Sequence, residues 1–288
     1  MASVPADKEE GVPLDRWPCP FLRVRDGAGP ETVQGSVVAE EPLEVVLNGR
    51  PVAVLMRTPG HEKELAVGYC LGEGLVRSFD DVVLVQHCGR LALRPDAPDD
   101  PLDASRNRVS ITLREGAPVG NSAGEVTPLV RSGCGRVHLE EVDLGLAPLG
   151  REDLRVPRAV VEGLSAEMPP RQRAYRESGG IHAAALFTRE GELVVLLEDV
   201  GRHNAVDKVT GYCLLRGIPL GDKILVSTGR ASYDMVVKAV RLGIPIVASR
   251  SSPTSLAVQL AERLNCTLLG YLRRGQFRIY THPWRIIL

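Results

Sequence analysis

The chain is poor in aromatic residues, which fill only 4% of its 288 positions, with two Trp and four Phe. No apolar stretch approaches the roughly 18 residues of a membrane-spanning helix. Neither sign of charge dominates: 35 Lys and Arg stand against 36 Asp and Glu. A general nucleic-acid binder is usually basic, so any anionic ligand must meet a local cationic site. Nowhere do two cysteines stand at Cys-x-x-Cys spacing. The six that are present (Cys19, Cys70, Cys88, Cys134, Cys213 and Cys266) are scattered. That pattern argues against a disulfide framework and against structural zinc. There is no Walker loop and no well-placed Gly-x-Gly-x-x-Gly. Residues 1–12 are polar and acidic, unlike a signal peptide. These absences together point to a cytoplasmic protein with neither membrane nor nucleic acid as a partner.

What remains is an ordinary globular composition, 44% hydrophobic and 25% charged, long enough for two domains. Residues 1–34, rich in Pro, Gly and charge, read as a flexible arm. Residues 35–150 read as a β-rich domain. Its strands at 37–47 and 52–56 are joined by Asn48-Gly49, a strong hairpin signal. A helix follows at 62–75, then strands at 82–87, 91–93 and 109–113. Residues 115–137 lack periodicity and read as a mobile loop; an irregular segment of this length is usually functional or disordered. Residues 151–288 open with a helix at 151–168. A hairpin (181–187 and 193–197) comes next, then helix 202–216, strand 223–228, helix 232–242, strand 244–248, helix 254–264, strand 266–272 and a short strand near 276–280. Such alternation implies an α/β sheet covered on both faces.

The most polar segment runs from Glu198 to Lys208: Glu-Asp-Val-Gly-Arg-His-Asn-Ala-Val-Asp-Lys. It follows a strand and opens a helix. Strand ends of open α/β sheets are where ligands bind, and so much polarity at one turn reads as a site rather than as core. Two further strands end alike, in Ser227-Thr228-Gly229-Arg230-Ala231-Ser232 and Ser249-Arg250-Ser251-Ser252-Pro253-Thr254. Helix N-termini present unpaired N–H groups and partial positive charge, and arginine adds bidentate anion recognition. If these strands are parallel, the turns form one cationic shelf for a large phosphorylated ligand. The simpler reading is that the Ser, Thr and Asn residues only cap helices. An arginine at each of three equivalent ends favours the shelf, with Arg202, His203, Asn204, Arg230 and Ser232 as its contacts.

In Arg131-Ser132-Gly133-Cys134-Gly135-Arg136, two arginines supply charge that stabilises a thiolate, and two glycines remove steric cover. Cys134 is therefore a candidate nucleophile, the plainer reading being an inert loop cysteine. Cys70, Cys213 and Cys266 fall in helical or strand patterns and read as core. His182 begins a His-Ala-x pattern like that of zinc deaminases. Ala184 stands where their glutamate would be, and the Pro-Cys-x-x-Cys partner is missing, so zinc hydrolysis is rejected. His203 could contact an anion, act as an acid, or pair with Asp207 one turn on.

These segments resemble the formate dehydrogenase accessory sulfurtransferase family, FdhD, over most of the chain. The marks are Glu41-Pro42-Leu43-Glu44, Met56-Arg57-Thr58-Pro59-Gly60-His61, Gly179-Gly180-Ile181-His182-Ala183-Ala184-Ala185, the 198–208 segment, Gly229-Arg230-Ala231-Ser232, Ser252-Pro253-Thr254-Ser255-Leu256-Ala257 and Tyr280-Thr281-His282-Pro283. The resemblance implies a cytidine-deaminase-like α/β C-terminal domain beside a smaller β-rich domain, in a homodimer. It implies a sulfur carrier required for formate dehydrogenase activity. Such a carrier takes persulfide sulfur from a cysteine desulfurase and passes it to the bis(molybdopterin guanine dinucleotide) form of the molybdenum or tungsten cofactor. That cofactor then enters the formate dehydrogenase catalytic subunit. The family's Cys-Gly-x-Cys-Gly motif maps its first cysteine onto Cys134 and its second onto Val137, so no disulfide relay exists within the motif. The family's guanine-dinucleotide segment maps onto Tyr271, Leu272, Arg273, Arg274, Gly275 and Gln276. A cofactor chaperone that moves no sulfur is the alternative.

Overall fold

The computed structural model describes residues 15–89, 107–120, 145–150 and 153–288. The chain opens with a hairpin of β1 (Arg16–Arg23) and β2 (Glu31–Val38), in register from Arg16–Val38 to Arg23–Glu31. Composition suggested a loose arm over 1–34; from Arg16 onward the chain is instead a paired ribbon. Pro18 and Pro20 are tolerated because a two-stranded ribbon has only edge strands. Residues 1–14 lie outside the described residues.

A four-stranded sheet follows, built from β3 (Glu41–Leu47), β4 (Arg50–Arg57), β5 (Val82–Gly89) and β6 (Asn107–Leu113), in the order β4-β3-β6-β5. Asn48 and Gly49 both have positive φ, 48° and 78°, as the turn of a two-residue hairpin demands. Helix α1 (Glu62–Gly72) covers one face, and Leu65 and Cys70 pack there on Leu43, Val45, Val109 and Ile111. The strand expected at 91–93 and the cysteine loop from residue 121 onward, Cys134 included, lie outside the described residues.

The second half begins with β7 (Val156–Pro157), α2 (Arg158–Glu167) and α3 (Arg173–Ser178). The helix expected from 151 thus starts later. Pro157 is its N-cap, in extended conformation, because a proline fits the start of a helix better than its interior. Then come β8 (His182–Phe187), β9 (Leu193–Asp199), α4 (Arg202–Leu215), β10 (Ile224–Ser227), α5 (Tyr233–Arg241), β11 (Ile246–Ser249), α6 (Ser255–Arg263), β12 (Thr267–Arg273), β13 (Gln276–Ile279) and β14 (Ile286–Ile287). The six-stranded sheet has the order β13-β12-β11-β10-β8-β9. Its pleat splits β8: Ala184 and Leu186 join the core with α4, α5 and α6, while Ala183, Ala185 and Phe187 face α2.

Strand direction decides where the chemistry lies. Both β9 and β10 run antiparallel to β8, so they point the same way; β11 is parallel to β10 and β12 to β11. Four strands therefore end at one edge, where β8 begins.

The two sheets are joined by a tight helix pair. A Cβ at Gly68 of α1 would run into the Asp207 carbonyl, and one at Gly211 of α4 into the Glu64 carbonyl. Only glycine permits this approach. Charges are sealed into the same seam. Lys238 Nζ lies 2.7 Å from Asp207 and 3.0 Å from Glu73, and Lys208 Nζ 2.7 Å from Asp199. The Lys208 ammonium also donates to the Thr58 carbonyl (2.8 Å), while the Thr58 amide donates to Asp199 (3.2 Å). Burial pulls the pKa of Lys238 down, but Asp207 and Glu73 outweigh it and leave it raised; for Lys208 burial wins over Asp199 and lowers it.

Candidate functional site

This seam corrects the reading of the 198–208 segment as wholly a ligand site. Asp199, Asp207 and Lys208 are buried, and their charges are spent inside the protein. Glu198 accepts the amides of Ala174 and Tyr175 and so caps α3. The Asn204 amide group donates to the Met56 carbonyl (2.8 Å) and to Asp199 (3.0 Å); its NH₂ is committed to fastening α4 to β4. The fastening was missed because its partners, Met56 and Thr58, lie about 150 positions away in sequence.

Arg202 is the exception in that segment. Its stem lies across Gly229, where a Cβ would meet it at 2.8 Å. Its Nε is buried with no hydrogen-bond acceptor. It occupies the first turn of α4, a helix with no acid in that turn and no side-chain cap at Gly201. A cation there opposes the positive end of the helix dipole, an arrangement that makes sense with an anion between them.

The other two turns sit beside it on the same edge. Arg230 follows β10 and is exposed, and Arg250 follows β11. Neither has a carboxylate partner among the described residues. The turns brace one another: the Ser249 hydroxyl donates to the Gly229 carbonyl (2.7 Å), and the Arg250 amide to the Ser227 carbonyl (2.9 Å). Thr254 does cap α6, accepting from the Ala257 amide. Ser232 does not cap α5; its hydroxyl meets His203 Nε2 at 3.1 Å. Capping thus accounts for one of the three turns. His203 is joined to Ser232 across the edge, and Asp207 is paired with Lys238.

The segment 271–276 reaches this edge too, because β12 is parallel to β11. The Tyr271 amide donates to the Ser251 carbonyl (2.9 Å), and Tyr271 has φ of 51° at a register shift between Gly270 and Arg273. The Arg278 guanidinium stacks 4.2 Å from the centre of the Tyr271 ring. A cleft of about 250 Å³ is lined by Tyr271, Arg273, Gln276, Phe277 and Arg278. Arg273, Arg274, Gly275 and Gln276 are exposed. Leu272 is a correction: it is fully buried in the core beneath the sheet, because the pleat that turns its neighbours outward turns it in. From β12 to β9 the edge spans four strand spacings, roughly 19 Å.

On this edge, between the ends of β10 and β9, stands His182, the histidine of the zinc-deaminase-like pattern. Its Nδ1 lies 3.3 Å from the Thr228 hydroxyl oxygen, which also accepts the Ala183 amide (2.9 Å). Burial, and after it Arg202, lowers its pKa, while Asp199 acts the other way. The Gly-Gly before it was the available signal: Gly179 and Gly180 both have positive φ, 65° and 59°, and turn the chain sharply into β8. Three cysteines are eliminated as carriers. Burial pushes the Cys70 and Cys266 thiols up to about 12 and the Cys213 thiol to about 11, so none yields a thiolate readily. Among the described residues Cys88 is exposed and Cys19 half-buried.

The sequence profile of the FdhD/NarQ family matches residues 38–287. The chain belongs to the FdhD/NarQ family. A protein from Streptomyces avermitilis named sulfur carrier protein FdhD is 39% identical over 275 residues, covering 93% of this chain and 94% of that one. Another with the same name, from Sulfurisphaera tokodaii, is 40% identical over 263 residues, covering 89% and 94%. A crystal structure from Desulfotalea psychrophila, of a protein provisionally described as a formate dehydrogenase accessory protein, superposes with a TM-score of 0.72 at 28% identity. It covers 96% of this chain and all of that one. The mixed α/β architecture is thus that of an FdhD/NarQ relative. No described helix is long and apolar enough to cross a membrane.

Proposed function

We propose that this protein is a cytoplasmic sulfur carrier in formate dehydrogenase maturation. In this reading Cys134 bears the sulfur, and the arginine edge holds the phosphates of the acceptor, a bis(molybdopterin guanine dinucleotide) carrying molybdenum or tungsten. The observation that carries the reading is the edge itself: Arg202, Arg230, Arg250, Arg273 and Arg274 converge there with no carboxylate partner among the described residues. The hairpin β8–β9 followed by three parallel strands supports a deaminase-like scaffold, and Ala184 leaves it without the deaminase acid.

The Cys134 thiolate would attack the outer sulfur of a cysteine desulfurase persulfide. The desulfurase thiolate leaves and Cys134 becomes the persulfide. Arg131 and Arg136 favour the thiolate by charge. At the other end the edge's guanidiniums bind the diphosphate groups bidentately, so the acceptor is held while its metal centre is loaded. The loaded cofactor then passes to the formate dehydrogenase catalytic subunit, and the carrier works as a homodimer. Val137, in place of the family's second motif cysteine, favours one other reading: delivery of the cofactor without sulfur transfer.

Incubation with an active cysteine desulfurase and cysteine, followed by intact mass spectrometry and peptide mapping, separates the two. The carrier reading expects one added sulfur on Cys134, absent in Cys134→Ala. No added sulfur would leave the delivery reading, and sulfur on Cys88 would move the site.

A further inference from the structure

We propose that His182 forms an anion-binding cluster with Arg202 and Thr228, and that it takes up one proton from solvent when a phosphate-class dianion binds there. This rests on the reading of the arginine edge as an anion shelf, and goes beyond it by naming a proton as co-ligand.

The geometry comes first. The left-handed Gly179-Gly180 pair delivers His182 to the start of β8, opposite Asp199 in register. Its Nδ1 is tied to the Thr228 hydroxyl, and its Nε2 has no partner among the described residues. The neighbouring guanidinium is pinned by its stem on Gly229 and keeps a buried Nε without an acceptor. An imidazole on Thr228 and a guanidinium whose stem lies on the adjacent Gly229, each with an unused nitrogen, suit an oxyanion between them.

The charges facing His182 can be named from every element around it. Arg202 comes from α4 and Asp199 from β9, while the turn after β10 sets the neutral Thr228 hydroxyl against Nδ1 and carries the exposed Arg230. Asp199 is already compensated by Lys208 at 2.7 Å and by the Gly201 amide at 2.9 Å. Burial, and after it Arg202, therefore outweigh Asp199 and lower the imidazole's pKa. A dianion seated on Arg202 reverses that balance, so the protonated form gains a hydrogen bond and a counter-charge together. No bond is made or broken apart from the N–H formed with a solvent proton.

Sulfate is the probe, because it copies a phosphate's shape and charge without titrating between about pH 5 and 8. The histidine Cε1 resonances of the full chain would be followed by NMR against pH, with and without saturating sulfate; His182→Gln identifies the signal. The expected result is an upward shift of the His182 midpoint when sulfate is bound. Sulfate affinity should also rise about tenfold per pH unit as pH falls, until free His182 itself protonates. In His182→Gln that pH slope should vanish while binding persists. A His182 midpoint unmoved by saturating sulfate would overturn the inference while leaving the shelf in place. Sulfate binding unchanged in Arg202→Gln would overturn the shelf reading beneath it. The midpoint is read in the unaltered chain, so a poorly folding variant does not decide the outcome.

Discussion

The seam between α1 and α4 and the edge above β9 to β12 are built from the same kinds of residue, and their charges are treated in opposite ways. In the seam every ammonium faces a carboxylate within 3.0 Å and is buried. On the edge, arginines stand without carboxylate partners among the described residues. One segment, Glu198 to Lys208, supplies both: Asp199, Asp207 and Lys208 turn to the seam and Arg202 to the edge. Polarity alone therefore does not mark a binding site. What marks it is a charge that the fold leaves uncompensated, since an unpaired charge costs stability unless something binds it.

The largest expected effect breaks the seam. Asp199→Ala strands the Lys208 ammonium in the interior and should cost about 3–5 kcal/mol in urea unfolding; a loss under about 1 kcal/mol would mean that the pairing is not structural. Next, Arg202, Arg230 and Arg250 changed together to Gln should cost no more than about 1.5 kcal/mol in the same unfolding, about 0.5 kcal/mol for each change near the surface. The same variant should weaken guanosine diphosphate binding by calorimetry at least about a hundredfold, at about 1.5–3 kcal/mol for each charged hydrogen bond. Equal effects on folding and binding would erase the contrast between the two regions. The smallest effect sharpens the seam's pH range. The Glu64 carboxyl, on α1, is held down to about 2 by His61 first, against burial, with help from Arg216. Its contribution is complete above the unfolded value of about 4.3 and is lost as pH falls toward about 2. Urea midpoints across that window should fall less steeply in Glu64→Gln.

Local signals were legible in the sequence. Asn48-Gly49 announced its hairpin, and the alternation after residue 181 announced the sheet. The arginine turns could be read as one shelf because three strands followed by helices fix their own direction. Resemblance alone pointed to 271–276, and the parallel β12 brings that segment to the same edge. The illegible parts depend on long-range contacts. Nothing local says that Asn204 reaches Met56, that Leu272 points inward between exposed neighbours, or that His182 meets Thr228 across 46 positions. The β1–β2 ribbon was hidden by its prolines and glycines, which read as loop until the pairing is seen.

The seam also sets a timetable for synthesis. Its hydrogen bonds join residues separated by 141, 150 and 169 positions. A ribosome adding about 5–20 residues per second needs on the order of ten to thirty seconds to travel from Thr58 to Lys208. Throughout that interval the face of α1 that carries Gly68 and Gly72 has nothing to close on. The first half of the chain emerges as an unfinished surface, and a message truncated before residue 208 would yield a product for chaperones and proteases rather than a smaller folded protein.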